Sequence, residues 1–160
     1  MSLINRIPVS RISSRFAHRA FSSSTLYTAR SHTVGGRNGE SKSDDGALSV
    51  KLSTPKSMGG PGGAGTNPEQ LFASGYSACF LGAMGLVAKN AKTQLPANTA
   101  IDAKVDLLKG DDGLKIAVEF DITAPGWDKK QTEEIVRKAH EVCPYSRATK
   151  GNVDVKFNVK

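Results

Sequence analysis

Apolar and polar residues alternate strictly in three segments of the C-terminal half of the chain. Every second residue is apolar within residues 101–107, 114–122 and 153–159. Because the side chains of a strand point alternately to the two faces of a sheet, this period of two predicts three amphipathic strands. The sequence Gly-Asp-Asp-Gly at residues 110–113 separates the first two strands and predicts a hairpin turn between them.

The N-terminal half predicts two further strands, within residues 26–34 and 48–52. Between them lies the sequence Gly-Gly-Arg-Asn-Gly at residues 35–39. Its last two residues, Asn38 and Gly39, form the pair that tight hairpin turns prefer, because both tolerate positive φ. The sequence therefore predicts a hairpin with Arg37 in its turn.

A long uncharged segment predicts the first of two helices. Asn67 supplies an N-cap, Pro68 suits the first helical position, and Gln70 stands where a capping box has Glu or Gln. The helix is predicted to run to about Asn90 and is apolar on nearly every side, which indicates burial all round. Polar residues and glycines dilute its hydropathy, so a buried central helix is predicted and a membrane span is not.

The second helix is predicted to begin near Asp128 and to end at Pro144, with Cys143 in its last turn. The residues of its apolar face recur at three- and four-residue steps and are Ile135, Val136, Ala139 and Val142. The resulting order, β-β-α-β-β-α-β, predicts an α+β domain with antiparallel sheets around the central helix. So small a domain has too few elements to cover a helix that is apolar all round. We therefore expect a second copy of the chain to cover it.

The net charge of +7 is concentrated at the N-terminus, because residues 1–39 hold six arginines and no Asp or Glu. A nucleic-acid-binding surface would need that charge on the folded domain, so no nucleic-acid partner is expected.

Residues 1–24 are rich in Arg and Ser with interleaved apolar residues, the composition of a mitochondrial targeting segment. The alternative is an unstructured basic tail. We expect removal of the segment on import into the matrix, and residues 25–160 to form the domain.

The chain has two cysteines, Cys79 within the first predicted helix and Cys143 at the end of the second. They lie 64 positions apart, which fits neither a zinc-ligand spacing nor a C-x-x-C pair. A thiol in an apolar helix is ordinarily an inert core residue. A permanent disulfide is not expected in a reducing compartment such as the mitochondrial matrix. Any chemistry of these thiols would therefore be a transient disulfide between them.

Histidine or arginine could activate Cys79. His140 shares a helix face with Cys143, but an ordinary surface position explains their three-residue spacing better, and the pair supplies too few ligands for zinc. Arg37 is the charged residue of the predicted turn. Glu69, in the first turn of the long helix, could hold its guanidinium in a bidentate pair. Taken alone, a solvated turn explains Arg37 and the helix dipole explains Glu69 better than a catalytic role does.

Two cysteine motifs and the arginine turn together resemble the organic hydroperoxide resistance (Ohr) proteins of the Ohr/OsmC superfamily. The motifs are TNPEQLFASGYSACF at residues 66–80 and VCPYSRATKGNV at residues 142–153, and the turn is GGRNG at residues 35–39. Tyr76 and Tyr145 within these motifs resemble the Ohr branch rather than its OsmC sibling. The resemblance covers about residues 25–160. The N-terminal extension departs from the compact bacterial form.

The resemblance implies a thiol peroxidase that reduces organic hydroperoxides, including lipid-derived ones, to alcohols. It implies Cys79 as the peroxidatic thiolate and Cys143 as the resolving thiol. It also implies Arg37 as the cation that stabilises the thiolate and Glu69 as the group that holds Arg37. The implied fold is an intertwined homodimer with sites where the subunits meet. No bound cofactor or metal is implied, and an external dithiol, carried by a lipoyl-bearing protein, regenerates the enzyme.

Two other functions stay open at this point. One is dithiol–disulfide exchange with protein thiols, for which this chain lacks the usual C-x-x-C pair. The other is a dimeric carrier of apolar ligands in which the cysteines are not catalytic. The sequence predicts no role for His32 or His140.

Overall fold

The computed structural model describes residues 24–160. The predicted targeting segment, residues 1–24, lies outside this range except for Ser24. Along the chain the elements are strands β1 (Ser31–Val34), β2 (Glu40–Ser43) and β3 (Ser49–Lys51), helix α1 (Pro68–Asn90), strands β4 (Ala100–Gly110) and β5 (Gly113–Thr123), helices α2 (Lys129–Val142) and α3 (Pro144–Thr149), and strand β6 (Asp154–Val159). The predicted α+β class, with two sheets and a central helix, is confirmed.

The first three strands form a small antiparallel sheet in sequence order. The predicted hairpin is present, but its second strand is β2, which the alternation pattern missed because Glu-Ser-Lys-Ser has no apolar residue. The turn also differs from the prediction. Positive φ angles occur at Gly35 (70°) and Gly36 (56°), whereas Gly39 has a φ of −108°. The first two glycines therefore make the reversal, and Arg37 follows them in a short 3₁₀ turn.

The second sheet has the order β4-β5-β6. β4 and β5 form the predicted hairpin, closed by the pairing of Gly110 with Gly113. β6 pairs with β5 in parallel, so the prediction of wholly antiparallel sheets is wrong for this strand. Parallel neighbours need a crossover connection, and α2 and α3 supply it by carrying the chain across the sheet face from β5 to β6.

Helix α1 begins where the capping sequence predicts. The Asn67 side chain accepts a hydrogen bond from the Gln70 N–H at 2.9 Å. The Gln70 side chain does not close the capping box, because its Oε1 accepts from the Thr66 hydroxyl at 2.8 Å instead. The polar first turn therefore stays at the surface while the apolar remainder of the helix enters the core.

Helix α1 is the centre of the hydrophobic core. Its buried residues are Tyr76, Phe80, Ala83, Met84, Val87 and Ala88. They pack against buried residues of β5 and α2, which are Val118, Phe120, Ile122, Ile135, Val136 and Ala139. Among residues 24–160, α1 alone has the length and apolar composition of a membrane-spanning helix. In this fold the same properties make it the helix on which the core is built.

One face of α1 is exposed in the single chain, as expected if a second copy of the chain covers this helix. Ser74, Ala78, Gly82 and Leu86 recur every four residues and therefore lie on one face, which we call the α1 stripe. Leu86 is 53% exposed. The stripe is uncovered because β4, α2 and α3 pack on other sides of the helix.

The second predicted helix is two helices joined at Cys143. Asp128 caps α2 by accepting a hydrogen bond from the Gln131 N–H at 2.7 Å. The last residue of α2, Val142, is exposed and so does not belong to the apolar face as predicted. Cys143 is extended (ψ 125°), and Pro144 starts α3 at a position where no backbone N–H is needed. Cys143 thus lies at the junction of two helices instead of in a final turn.

Candidate active site

The two cysteines lie side by side where α1 meets the α2–α3 junction. The Cys143 thiol points at the Cys79 sulfur, with 3.6 Å between the two sulfur atoms. Both thiols are free; Cys143 is buried and Cys79 is partly exposed. A partly exposed cysteine and a buried one therefore hold their sulfur atoms at van der Waals distance.

The surroundings of Cys79 favour the thiol over the thiolate. Burial raises the pKa of Cys79 above its ordinary value, the backbone N–H of Tyr145 lowers it, and the Cys143 thiol adds to the rise. Cys79 packs against the buried hydrophobic core from its partly exposed edge, so the thiol borders an apolar environment. Nucleophilic chemistry at Cys79 would therefore need a cation that compensates for the burial.

Aromatic packing seats the α2–α3 junction on α1. The ring of Tyr145 stacks on that of Tyr76, with centroids 5.6 Å apart at 24°. The Tyr145 hydroxyl passes so close to Gly75 that a Cβ atom there would lie 3.1 Å from its oxygen. In addition, the Tyr76 hydroxyl and the Ser146 hydroxyl are hydrogen-bonded at 2.8 Å. The junction that carries Cys143 thus has both an apolar and a polar attachment to the Cys79 helix.

Arg37 and Glu69 form a bidentate ion pair. The guanidinium donates from Nη1 to Oε2 at 2.9 Å and from Nη2 to Oε1 at 2.5 Å. The hydrogen bonds from Arg37 lower the pKa of Glu69, which is the main reason that its carboxylate stays ionised despite partial burial. Glu69 in turn raises the pKa of Arg37. The turn of β1 and β2 is thereby tied to the N-terminus of α1.

This ion pair is not beside Cys79 of the same chain. Glu69 and Cys79 are ten residues apart on one helix, which separates them by about 15 Å along its axis. Arg37 accordingly makes no contribution to the pKa of Cys79. The fold therefore forms two pairs, Cys79 with Cys143 and Arg37 with Glu69, at separate places along α1.

The two histidines within residues 24–160, His32 and His140, lie outside both pairs. His140 packs edge-on against Phe157, with ring centroids 5.0 Å apart, and among the residues described its Nδ1 has no hydrogen-bond partner. Burial, and then the charge of Lys150, lower the pKa of His140. His32 is exposed on β1. Within residues 24–160 no group of three His, Cys, Asp or Glu side chains is arranged to hold a metal ion.

No contact of Tyr76, Tyr145 or Ser146 was predicted from the sequence, although all three occur in the cysteine motifs. The spacing carried a signal. Tyr76 precedes Cys79 by three residues, and Ser146 follows Cys143 by three. Residues three apart lie about one turn apart, so these neighbours of the two thiols also meet here, where the two segments run in opposite directions. The signal could be used only once the two cysteines were known to be in contact.

The chain is similar to known proteins over most of its length. Residues 60–158 match the family model described as OsmC-like protein. The organic hydroperoxide resistance protein of Xanthomonas axonopodis pv. citri (strain 306) is 54% identical over 130 residues, which cover 81% of this chain and 92% of that protein. The crystal structure of the organic hydroperoxide resistance protein OhrB of Bacillus subtilis has a TM-score of 0.78 and 43% sequence identity, covering 85% of this chain and all of that one. The chain belongs to the Ohr/OsmC family.

Proposed function

We propose that the protein is a cysteine-based peroxidase that reduces organic hydroperoxides to alcohols. The observation that carries the proposal is the 3.6 Å approach of a buried thiol, Cys143, to a partly exposed one, Cys79. This arrangement suits a reaction in which one thiol is oxidised by a substrate and the second completes a disulfide. The names of the Xanthomonas and Bacillus relatives support organic hydroperoxides as the substrate class.

The reaction proceeds in two steps at the sulfur pair. The Cys79 thiolate attacks the outer oxygen of the peroxide, the O–O bond breaks, and a proton completes the alcohol that leaves. Cys79 becomes a sulfenic acid. The Cys143 thiol then attacks the Cys79 sulfur, a disulfide forms, and hydroxide leaves with the thiol proton as water. The position of Cys79 against the hydrophobic core suits a hydrophobic peroxide better than hydrogen peroxide.

The cation that stabilises the Cys79 thiolate in this proposal is Arg37 of a second copy of the chain. Within one chain the Arg37–Glu69 pair is about 15 Å from Cys79 along α1. Two copies of α1 related by a two-fold axis perpendicular to the helix would run antiparallel. If they cross at Ser74, residue 69 of one copy lies beside residue 79 of the other, because both are five residues from residue 74.

The N-terminal end of the α1 stripe is compatible with such a crossing. Ser74 and Ala78 are exposed and small, so two copies of the helix can approach closely there. The sheet of β1, β2 and β3 supports it as well, because eight of its eleven residues are exposed in the single chain. A homodimer would cover both surfaces and complete two sites at once.

No bound cofactor takes part in the proposed cycle. The Cys79–Cys143 disulfide has to be reduced by an external dithiol, which attacks one sulfur and closes its own disulfide. A lipoyl group on a protein is a dithiol of this kind on a flexible arm. We propose a lipoyl-bearing protein as the physiological reductant.

The proposed function predicts fast, substrate-selective loss of one thiol. In stopped-flow experiments with reduced protein, cumene hydroperoxide should oxidise Cys79 much faster than hydrogen peroxide does. Mass spectrometry of the product should then identify a disulfide between the peptides that contain Cys79 and Cys143. Two results would contradict the proposal: reduction of protein disulfides without peroxide reduction, which indicates an exchange protein, or binding of apolar peroxides without oxidation, which indicates a carrier.

We also propose that residues 1–24 direct the protein to the mitochondrial matrix, on the ground of their arginine-rich, acid-free composition. A fluorescent reporter fused to residues 1–30 should accumulate in mitochondria and lose roughly the first twenty residues. The matched control replaces the arginines at positions 6, 11, 15 and 19 with glutamine, and this reporter should stay in the cytosol. Equal distribution of the two reporters would contradict the prediction.

A further inference from the structure

Two neighbouring contacts, which we call the sulfur rung and the hydroxyl rung, join α1 to the α2–α3 junction. One is the sulfur pair of Cys79 and Cys143, at 3.6 Å, and the other is the hydroxyl pair of Tyr76 and Ser146, at 2.8 Å. Tyr76 and Cys79 are three residues apart, and so are Cys143 and Ser146. Tyr76 and Cys79 therefore share a face of α1. Ser146 lies one turn into α3 from Cys143, the extended residue that precedes this helix, so the two rungs lie side by side.

The hydroxyl rung is buried and has few alternatives. Tyr76 is 0% exposed and Ser146 is 1% exposed. A buried hydroxyl without a partner loses its hydrogen bonds to water with no compensation, so separation of the pair is costly. The remaining acceptor near the Tyr76 hydroxyl is Thr149 Oγ1, at a long 3.5 Å. The bond thus fixes where α3 lies along α1.

The backbone of Cys143 cannot adjust on its own. Its N–H donates to the Ala139 carbonyl at 2.9 Å, and its carbonyl accepts from the Arg147 N–H at 3.0 Å. Both neighbouring helices therefore hold this residue. The distance from its sulfur to Cys79 is then set by the seating of α3 on α1, which the hydroxyl rung controls.

We propose that Tyr76 and Ser146 are positioning residues that keep Cys143 within reach of oxidised Cys79 and so favour disulfide formation over further oxidation. The inference rests on the proposed peroxidase function. The two fates of the Cys79 sulfenic acid compete directly. Attack by the Cys143 thiol gives the disulfide and water, whereas a second hydroperoxide molecule transfers one oxygen to give sulfinic acid and an alcohol. A displaced Cys143 slows the first reaction without affecting the second.

The test compares Tyr76→Phe, Ser146→Ala and the double variant with wild-type protein and with Thr132→Val. Thr132 is a matched control, because its buried hydroxyl bonds the Asp128 carbonyl on α2, away from the sulfur pair. Each protein is treated with cumene hydroperoxide, and the ratio of disulfide to sulfinic acid is measured by mass spectrometry. Unfolding free energies are measured in parallel by denaturant titration.

The ratio should fall about fivefold in both single variants, the fold-change that corresponds to the net worth of one buried hydrogen bond. In the double variant it should fall no further, because both substitutions remove the same bond. The double variant leaves no orphaned hydroxyl, so it should be more stable than Ser146→Ala while its ratio stays low. Thr132→Val should keep the wild-type ratio despite its loss of stability.

The positioning role is overturned if the ratio of disulfide to sulfinic acid falls in proportion to the loss of unfolding free energy in every variant, Thr132→Val included. An unchanged ratio in Tyr76→Phe overturns it as well. Both results leave the peroxidase function intact, because wild-type protein still forms the disulfide. Wild-type protein that forms neither disulfide nor sulfinic acid overturns the proposed function, and the inference with it.

Discussion

Cys79→Ser should abolish peroxide reduction, whereas Cys143→Ser should still consume a first equivalent of organic hydroperoxide at a near-normal rate. A serine hydroxyl is too weak a nucleophile without a general base, and the part of the chain described places no histidine at Cys79. In Cys143→Ser the attacking sulfur is unchanged. The loss of the neighbouring thiol removes one of the causes that raise the pKa of Cys79, so the first step should not slow.

The two variants should differ most after the first step. With no thiol at 3.6 Å to capture the sulfenic acid, Cys143→Ser should accumulate Cys79 with two and then three added oxygens, measurable as mass gains on one peptide. Turnover with a small dithiol should partly survive, because the dithiol can attack the sulfenic acid directly. Equal loss of the first-equivalent reaction in both variants would contradict the unequal roles.

Arg37→Ala should slow the first step at neutral pH by about tenfold or more, since a cation near a thiol lowers its pKa by roughly one to three units. Burial by itself raises the pKa of Cys79, so little thiolate remains once the cation is removed. The rate should therefore increase with pH in both proteins, and its midpoint should lie at higher pH in Arg37→Ala. Lysine at this position should restore part of the rate, because it supplies the charge without the bidentate donors.

Glu69→Gln is the companion variant for the same ion pair. It keeps the size of the side chain and should reduce activity less than Arg37→Ala, because the cation remains but is held loosely. The pKa of Glu69 is lowered in the folded protein, so the stability that this carboxylate contributes is present at neutral pH. It is lost as the pH falls through the lowered pKa. Glu69→Gln should remove this acid-side decline, and unchanged activity would reduce Glu69 to a helix-terminus residue.

A mixing experiment tests whether Arg37 acts across the dimer. Arg37→Ala chains and Cys79→Ser chains are each inactive or slow alone. If Arg37 serves the partner, a mixed dimer has one complete site, formed by Cys79 of the first variant and Arg37 of the second. Activity should therefore return on mixing and subunit exchange, to about half the wild-type value per mixed dimer. No recovery, with mixed dimers verified by native mass spectrometry, would place Arg37 with Cys79 of its own chain.

The secondary structure followed from local patterns wherever a pattern was strong. Alternation in residues 101–107 and 114–122 predicted β4 and β5, and the Asn67 cap predicted the start of α1. The alternation was sufficient because it indicates which side chains of a strand face the core and which face solvent, and the cap was sufficient because it marks where a helix begins. They failed at β2, whose residues are polar on both faces, and at Cys143, where one apparent helix is two.

The candidate chemistry was predicted less completely. Residue types and motifs singled out Cys79, Cys143, Arg37 and Glu69, because thiols and a bidentate ion pair have few substitutes. Only the tertiary structure decided that the two thiols are 3.6 Å apart and that the ion pair lies about 15 Å along α1 from Cys79. Such distances depend on how helices and strands from remote parts of the chain pack, which no local pattern encodes.

The sequence by itself determined the α+β class and the central apolar helix, and it singled out the side chains that are proposed to react. The tertiary structure decided the parallel pairing of β6, the exposed α1 stripe and the buried hydrogen bond between Tyr76 and Ser146. The division has a physical reason. Hydrophobic period and capping act over a few neighbouring residues, whereas strand direction, surface coverage and the contact of residues 70 positions apart depend on the packing of the whole chain.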